Sequence, residues 1–592
     1  MKNSTCSYLK TTIAAGALLA MSANANAATF TALASGNFSA GATWVGGIAP
    51  AFLLSTDVVV IPSGITVTLD NNATLNGALG GLTVNGSLVS SNNSYLTLNT
   101  GTLSGAGTIT VDSLALAISS GVNYTGTITA RAISSTGATI SSNANITANG
   151  MLDLQGSTLN VNSGTLTLGA GATLRRSGGS LSNGGGSIVL TNNYSLWYTS
   201  TSTNTGLELN GSGLTNITVD VPAGNTVTLT GDMYVKGMLT LMSGSIDMNN
   251  RNITFTSTGN FSAMGNGNIS ASTPSNIIIM SGADFDGGLR FSSSANTFHN
   301  LTVNLGNSGS TAKIGSDIVL QGTLNLQSGK LDIGMNDLKI DAGMGGMLSG
   351  GSSSSYVVTG TGGTLTMALA ASGTNNYHIG TSSNYAPAIL IGNSGSVNGD
   401  VSVGVNPTVM SEGNTGVNLS SDQPVVDATW FVSSTVSGTL DINMEYMWST
   451  NMEINAFNRA SAYVSHYTNG NWDVTATAAA TAASNGMFSL TRNNVTSLSP
   501  FAVVGGNAIT TSVNNVAANT AITVYPNPTA KVLNIKANGN PTHAQVYDYS
   551  GRLVLSVPVI NNSVIVDQLP AGLYTARFTG NGFVAVEKFS KQ

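Results

Sequence analysis

Two groups of acidic residues offer places where chemistry could occur, and the first has the spacing that begins a calcium-binding loop. It comprises Asp284, Asp286 and the glycine that follows, and alternate oxygen ligands of this kind surround calcium in proteins. The twelfth position of such a loop is normally a bidentate glutamate, but here it is Ala295. We therefore expect a solvated turn, without a metal site or any other cofactor.

The second group could supply the carboxylates that cleave polysaccharides, because those reactions need a carboxylate pair or a base beside a metal. The candidates are Asp332, Asp337 and Asp341, with Lys330 and Lys339 nearby. Asp332 has an equivalent, Asp247, in an internal repeat, and a duplicated aspartate favours a structural turn over a unique catalytic role. We expect no catalytic residue and no enzyme. A polysaccharide lyase or hydrolase on a β-helix is the alternative.

Histidine and cysteine add no candidate site. The histidines lie far apart in the sequence, at His299, His378, His466 and His543. None has the spacing of a zinc site. The single cysteine, Cys6, lies in an N-terminal segment expected to be removed, so the mature chain has no disulfide and no cysteine-ligated metal.

That N-terminal segment has the pattern of a secretory signal peptide. Lys2 and Lys10 precede an apolar run at residues 13–21, and small residues follow up to Ala27. This order predicts a signal peptide over residues 1–27 with cleavage at Ala27. No other stretch holds 18 apolar residues in a row, so we expect no transmembrane anchor.

Charge is sparse, at 7% of 592 residues, against about 25% in ordinary globular proteins. Residues 28–520 carry 11 basic and 22 acidic side chains, a net charge of −11. Nucleic acids and anionic lipids both attract clustered Lys and Arg. Neither is an expected partner.

Scarce charge and abundant Gly, Asn, Ser and Thr are typical of a β-solenoid. Equivalent positions in stacked coils lie about 4.8 Å apart, so like charges there repel, whereas Thr and Asn can hydrogen-bond along the stack. Short apolar strands separated by Gly and Asn turns recur at residues 65–69, 82–84, 96–98, 109–111, 166–168 and 188–190. We expect an all-β chain with a right-handed parallel β-helix over residues 28–365.

Two repeats support the stacked coils. Residues 237–254 align without gaps on residues 322–339, at an offset of 85, and a repeat of this size made of short strands indicates several coils. Thr-x-Thr pairs occur at 108/110, 127/129 and 165/167. Their spacings of 19 and 38 suit one and two coils. Such a face could bind ice or another ordered surface, although threonine is also a good strand former.

The pattern changes after residue 365. Trp430, Trp448 and Trp472 fall within 43 residues, and such aromatic clustering is typical of a compact sandwich core. We therefore expect one or more β-sandwich modules over residues 366–505. A polar linker at 506–520 and a final domain at 521–592 follow.

The final domain contains short alternating strands separated by turn residues, which predicts a small antiparallel sandwich. Four sequence blocks stand in order: Tyr525-Pro526-Asn527-Pro528, Val546-Tyr547-Asp548 with Gly551-Arg552-Leu553, Leu569-Pro570-Ala571-Gly572-Leu573-Tyr574, and Lys588-Phe589. With these blocks the domain resembles the type A C-terminal sorting domain of proteins exported by the type IX secretion system.

The resemblance implies recognition by an outer-membrane export machine, usually followed by removal of the domain and release or surface attachment. The residues expected to form the sorting signal are Tyr525, Pro526, Asn527, Pro528, Gly551, Leu569, Pro570, Gly572, Tyr574 and Lys588. Residues 36–38, 43–44 and 57–64 resemble the opening of β-solenoid surface proteins that carry this domain, which suggests a cap over the first coil.

These observations predict a secreted or outer-surface protein with an adhesive or structural role. Its expected partners are the type IX secretion machinery and, outside the cell, glycans or the cell-surface matrix. The carbohydrate-active enzyme and the ice- or surface-binding protein are the two alternatives.

Overall fold

The structure is a computed structural model that describes residues 27–50, 57–76, 80–90, 93–99, 101–117, 122–136, 140–262, 264–360, 362–436, 438–506, 522–548, 552–580 and 583–592. The predicted signal peptide up to residue 26, the predicted linker beyond Gly506 and the sorting residue Gly551 lie outside these ranges. The fold is 58% strand and 5% helical, which confirms the all-β prediction.

Two long parallel sheets, A and B, form the first half of the chain. Sheet A runs, in spatial order, through Thr29–Thr31, Val58–Ile61, Gly81–Val84, Thr102–Gly105, Val122–Tyr124, Ile140–Ser142, Thr158–Val161 and Ser180–Asn183. Sheet B runs through Gly36–Asn37, Thr66–Leu69, Ser87–Ser90, Thr108–Ala117, Thr127–Thr136, Asn145–Gln155, Ala172–Arg176, Tyr194–Thr199, Leu214–Asp220, Met238–Ser243 and Asn260–Ser262, with side branches Ala73–Asn76, Tyr95–Asn99, Thr165–Leu168 and Ser187–Val189.

Three further parallel sheets continue the stack. Sheet C contains Thr203–Asn204, Thr226–Thr228, Ser245–Asp247 and Asn268–Ser270. Sheet D contains Met233–Val235, Ile253–Phe255, Asn276–Ile279, Asn300–Asn304, Thr323–Ser328 and Met347–Gly350. Sheet E contains Phe285–Leu289, Thr311–Ile314, Lys330–Asp332, Val357–Val358 and Ile379–Gly380.

Sheet F joins the stack to the antiparallel region, because its first four strands pair in parallel and its remaining strands pair antiparallel. Sheet F contains Thr297–Phe298, Ile318–Leu320, Asp337–Ile340, Thr364–Leu369, Gly399–Asn406, Val425–Ser434, Pro500–Gly505, Ala462–Thr468 and Asn471–Trp472. Sheet G contains Thr374–Tyr377, Ala388–Gly392, Ile442–Ser449, Met487–Val495 and Thr481–Ala482. Sheet H pairs Met410–Glu412 with Thr415–Asn418.

The C-terminal unit has two antiparallel sheets. Sheet I contains Ile522–Tyr525, Val532–Ala537 and Ser563–Ile565, and sheet J contains, in spatial order, Leu553–Pro558, His543–Tyr547, Gly572–Gly580 and Phe583–Lys591. Short 3-10 turns within the described ranges lie at Gly41–Thr43, Val45–Gly47, Leu207–Asn210, Ala342–Met344, Leu419–Ser421, Thr450–Met452, Arg459–Ser461 and Ser484–Gly486. Within the same ranges, no helix is long and apolar enough to cross a membrane.

Inward-facing aliphatic side chains stack from coil to coil along the solenoid. Ile128 lies between Ile109 and Ile146 in sheet B, and all three are buried. Full burial of one such side chain contributes about 1.5–3 kcal/mol, and one buried apolar cluster continues along the solenoid. The body makes about 14 turns, which confirms the predicted solenoid.

The 85-residue repeat does not match a whole number of coils. Leu239 lies in sheet B, whereas its counterpart Leu324 lies in sheet D. Sheet D passes from Ile253 through three coils to Leu324. Because Leu239 and Ile253 lie on different faces of one coil, the offset is three coils and two further faces. The repeated unit is therefore a run of strands and corners that can begin on the face of sheet B or on the face of sheet D.

Aromatic side chains close the N-terminal end of the solenoid. Phe38 and Trp44 are both buried and meet edge to face at 5.3 Å. The Trp44 indole nitrogen donates a 2.9 Å hydrogen bond to the Phe38 carbonyl oxygen. This pair belongs to the buried apolar cluster of the solenoid and lies at the first coil of the described residues, where a solenoid needs a cap.

At the other end, one strand joins the solenoid to the antiparallel region. Thr364–Leu369 pairs in parallel with Asp337–Ile340 and antiparallel with Gly399–Asn406. One buried apolar cluster runs without a break from the first coil to the antiparallel strands. Trp430 lies in its last part, 4.9 Å from the Tyr446 ring. The antiparallel region therefore covers the open end of the solenoid and shares its core.

Candidate functional site

The four sequence blocks of the C-terminal unit come together around one small core. Sheets I and J enclose a cluster of apolar side chains that is separate from the solenoid core and includes Leu533, Val546 and Phe578, all buried. Alternation along each strand places these residues inward. The blocks lie at the edges and corners of this sandwich.

Asn527 connects the first block to the last. Its side-chain oxygen accepts a 2.8 Å hydrogen bond from the Ser590 amide, and its side-chain nitrogen donates a 3.1 Å bond to the Lys588 carbonyl oxygen. Next to it, the Thr529 amide donates to Ser590 O, and the Gln592 amide donates to Thr529 O, both at 2.9 Å. The segment after Tyr525 is thus hydrogen-bonded to the end of the C-terminal strand.

Tyr574 fixes the corner formed by the third block. Its hydroxyl donates a 2.9 Å hydrogen bond to the Pro570 carbonyl oxygen, and its ring stacks on Phe589 at 5.6 Å. Leu569 is buried in the same core. Tyr574 and Leu569 therefore stabilise the domain, and Tyr574 also joins the third block to the fourth.

The second block lies at the adjoining ends of the antiparallel strands His543–Tyr547 and Leu553–Pro558, which an ion pair joins. The Asp548 amide donates to the Arg552 carbonyl oxygen at 3.0 Å. The Arg552 amide and its guanidinium Nε both donate to the Asp548 carboxylate at 3.1 Å. Gly551, between them, lies outside the described residues.

The predicted sorting residues divide into buried and exposed sets. Leu569 and Tyr574 are buried, whereas the remaining described members are exposed: Tyr525, Pro526, Asn527, Pro528, Pro570, Gly572 and Lys588. Ala27, the predicted cleavage residue, is exposed as well. Sequence reasoning missed Thr529, which is buried and pairs with the C-terminal strand, because no pattern distinguishes it from other threonines.

On the solenoid, the Thr-x-Thr pairs form one outward row, which we call the threonine ladder. Thr108 pairs with Thr127, and Thr127 pairs with Asn145. Asn145 in turn accepts a 3.1 Å hydrogen bond from the Thr165 amide. The spacings of 19 and 38 thus correspond to one and two coils, as predicted. The rungs are Thr66/Thr68, Ser87/Val89, Thr108/Thr110, Thr127/Thr129, Asn145/Thr147, Thr165/Thr167 and Ser187/Val189.

Rungs of the ladder are about 4.8 Å apart along the solenoid, and the two positions within a rung are about 6.6 Å apart. One hydroxyl pair bonds directly, from Thr108 Oγ1 to Ser87 Oγ at 2.9 Å. Asp112 and Arg131 lie two residues after Thr110 and Thr129 in their strands, and they form an exposed ion pair. The hydrogen bond from Arg131 lowers the pKa of the Asp112 carboxyl.

The aspartates of the incomplete calcium loop bind the next coil. The Asp284 carboxylate accepts a 2.8 Å hydrogen bond from the Thr311 amide, and Asp286 forms a 3.0 Å ion pair with Lys313. Both are therefore engaged in the stack. In the part of the chain that the structure describes, no three His, Cys, Asp or Glu side chains converge as a metal cluster.

The second acidic group is dispersed over separate structural contacts. Asp332 accepts the Gly334 amide at 2.9 Å, and Asp247 accepts the Asn249 amide at the same distance. These are equivalent turns, as the repeat predicts. The remaining contacts are Asp337 with the Thr364 hydroxyl, Asp341 with the Gly343 amide, Lys339 with Asp400, and Lys330 with the Ser382 carbonyl oxygen.

A buried charged pair was not foreseen from the sequence. Arg176 and Glu208 form an ion pair in which both side chains are buried. Arg176 also donates to the Asn204 carbonyl oxygen at 2.8 Å, and the Tyr198 hydroxyl donates to Glu208 at 3.1 Å. The two residues are 32 positions apart, and their local sequence gives no signal of the contact.

The histidines are dispersed in the fold as they are in the sequence. His378 Nδ1 lies 2.5 Å from the Tyr385 hydroxyl, and burial lowers the His378 pKa. His466 stacks on Phe501 at 4.2 Å. Burial, reinforced by the positive charge of Arg492, lowers the His466 pKa.

Comparison with known proteins identifies the C-terminal unit alone. A family model described as a secretion system C-terminal sorting domain matches residues 523–592. No curated protein and no solved structure matches the chain. The matched range covers all four sequence blocks and, apart from Ile522, all of sheets I and J. Residues 523–592 are therefore a type IX secretion C-terminal sorting domain, and the chain is a secreted or cell-surface protein.

Proposed function

We propose that the chain is an adhesive or structural protein of the outer cell surface, with the solenoid as its binding surface. The observation that carries the proposal is the threonine ladder, a row of outward hydroxyl and amide groups held in register over successive coils. Hydroxyl and amide groups both donate and accept hydrogen bonds, which suits the hydroxyls of glycans. The ligand class proposed is therefore a glycan of the cell-surface matrix.

The dimensions of the solenoid favour a long ligand. About 14 turns at about 4.8 Å each make a stack about 65 Å long. The ladder residues project from paired strands, so their spacing is set by the backbone. A rigid array loses little conformational entropy when it binds.

A glycan array probed with the whole chain tests this proposal. Thr110→Val with Thr129→Val removes two hydroxyls while keeping side-chain shape, and binding should fall about thirtyfold, since each lost hydrogen bond is worth about 1 kcal/mol. The matched control is Thr226→Val with Thr228→Val in sheet C, which should bind as the unaltered chain does. If Thr110→Val with Thr129→Val binds glycan as well as the unaltered chain does, the ladder is not the glycan-binding surface.

The same ladder favours a second candidate, the binding of ice or another ordered surface. Its two spacings, about 4.8 Å and 6.6 Å, form a regular array along sheet B rather than a pocket. An assay of ice recrystallisation tests this candidate with the same variants. Inhibition by the unaltered chain without glycan binding would favour it.

The enzyme alternative has a separate readout. A lyase would release unsaturated sugar ends, and a hydrolase would release reducing ends. Either product, lost on substitution of Asp332 or Asp337, would replace the adhesive proposal.

A further inference from the structure

The C-terminal strand Phe583–Lys591 is an edge strand of sheet J. The segment that contains Asn527 and Thr529 covers only the last part of this edge. Lys588 O, Ser590 N, Ser590 O and Gln592 N all bond to Asn527 or Thr529. These residues have even numbers, and the backbone groups of successive residues in a strand point in opposite directions. Val584 and Val586 therefore direct their N–H and C=O groups to the same edge, beyond the covered part.

In the described part of the domain, no strand pairs with Val584 or Val586 on that side. Their side chains are also exposed, with 37% of Val584 and 54% of Val586 accessible. An uncovered edge with apolar side chains is a template for pairing with another chain.

The other edges of the domain carry features that block such pairing. Leu553–Pro558 has a bulge in its pairing and ends in proline. Ile522–Tyr525 runs directly into Pro526 and Pro528. Ser563–Ile565 is only three residues long. Bulges, prolines and short length are the usual protections of sheet edges, so Val584–Val586 is the edge best suited to pair.

We propose that this edge is where the export machinery docks, by adding one of its own extended strands beside Val584 and Val586. Strand addition gives affinity through backbone hydrogen bonds and specificity through alternate side chains. The inference rests on the sorting function of the domain.

The charge around the edge specifies the partner strand further. Arg577 is the cross-strand neighbour of Val586, and Lys588 lies two residues along the strand. The domain carries six basic and three acidic side chains. A strand with alternating apolar and acidic side chains would complement this surface.

Export of the full-length chain from its own bacterium tests the proposal, with surface or medium delivery as the readout. Val586→Pro removes an edge N–H that the sheet does not use, and delivery should fall about tenfold, because one hydrogen bond is lost and the ring obstructs pairing. Ser556→Pro is the matched control. The Ser556 N–H points away from sheet J at the edge opposite to Phe583–Lys591. Delivery of this variant should therefore be unchanged.

A second pair of variants keeps the N–H and changes only charge. Val586→Asp places a negative charge opposite the acidic side chains of the proposed partner strand, whereas Val586→Lys places a positive charge there. Val586→Asp should therefore lower delivery more than Val586→Lys. Equal delivery by these two variants would overturn the charge assignment. Delivery of Val586→Pro at the unaltered level would overturn docking at this edge.

Deletion of residues 521–592 separates this proposal from the sorting function. The deletion should trap the chain in the periplasm. A deletion variant that still reaches the surface would refute the sorting function itself. A trapped deletion variant with full delivery of Val586→Pro would refute only the docking edge.

Discussion

The side chain of Asn527 takes the place of a neighbouring strand for Ser590, whose amide donates to its Oδ1 at 2.8 Å. Asn527→Ala removes this bond and the one to Lys588 O. Hydrogen exchange at the Ser590 amide should then speed up about fivefold, since a net hydrogen bond is worth about 1 kcal/mol. Hydrogen-exchange mass spectrometry of residues 586–592 measures the change.

Asn538→Ala is the control for Asn527→Ala, because Asn538 is an exposed residue at the turn after strand Val532–Ala537. Its exchange pattern should match that of the unaltered chain. Unchanged exchange at Ser590 in Asn527→Ala would show that the backbone bonds of Thr529 hold the strand by themselves.

The buried pair of Arg176 and Glu208 should be far more sensitive to substitution than an exposed pair. Glu208→Gln leaves the Arg176 charge buried without its counterion, which should destabilise the solenoid by about 3–5 kcal/mol. Asp112→Asn breaks the exposed pair with Arg131 and should cost less than about 1 kcal/mol. Calorimetric melting compares the two variants, and similar shifts would contradict this account.

The stability of the antiparallel region should fall as the solution becomes acidic. The pKa of His466 is lowered in the fold, first by burial and then by Arg492, against an opposing effect of Asp473. The unfolded chain therefore binds a proton at a higher pH than the folded chain does, and the free energy of unfolding declines as pH falls below about 6.5.

His466→Gln should weaken that decline, because glutamine does not titrate in this range. His299→Gln alters an exposed histidine and serves as the control. Melting temperatures measured between pH 7.5 and 5.5 give the comparison. Parallel curves for His466→Gln and the unaltered chain would assign the pH dependence to other groups.

Chelation should leave the melting temperature unchanged. Asp284 bonds to Thr311 of the next coil, and Asp286 pairs with Lys313 of that next coil. We therefore expect apolar burial and backbone pairing to stabilise the stack without an ion. Loss of an ion present at a hundredfold excess over Kd would cost about 2.7 kcal/mol. A melting temperature lowered by EDTA and restored by calcium would show that these aspartates hold an ion.

The regular parts of the fold could be predicted from the sequence because they depend on periodic patterns. The spacing from Thr108 to Thr127 equals one coil, and the pairing follows directly from it. The rung Asn145/Thr147 does not follow from the Thr-x-Thr pattern, because its first residue is asparagine. Asparagine at that position keeps the polar character of the row and bonds to the next coil.

Contacts between distant segments could not be predicted, since they depend on how sheets meet. Asn527 belongs to a block that sequence comparison singles out, yet its bond to Ser590 spans 63 positions. The pairing of Arg176 with Glu208 likewise arises only when the coils stack. The 85-residue repeat is visible in the sequence, but its displacement between sheets B and D depends on the register of each coil.

Strand Thr364–Leu369, parallel on one side and antiparallel on the other, limits how this protein can lengthen in evolution. A coil added beyond it would have to break the antiparallel pairing, and a coil added before Trp44 would expose the first layer. Insertions must therefore enter between these two ends, where each new coil finds a neighbour above and below. The duplicated segments at 237–254 and 322–339 both lie in that interval. An insertion of a whole number of coils can thus lengthen the solenoid while both closures stay intact.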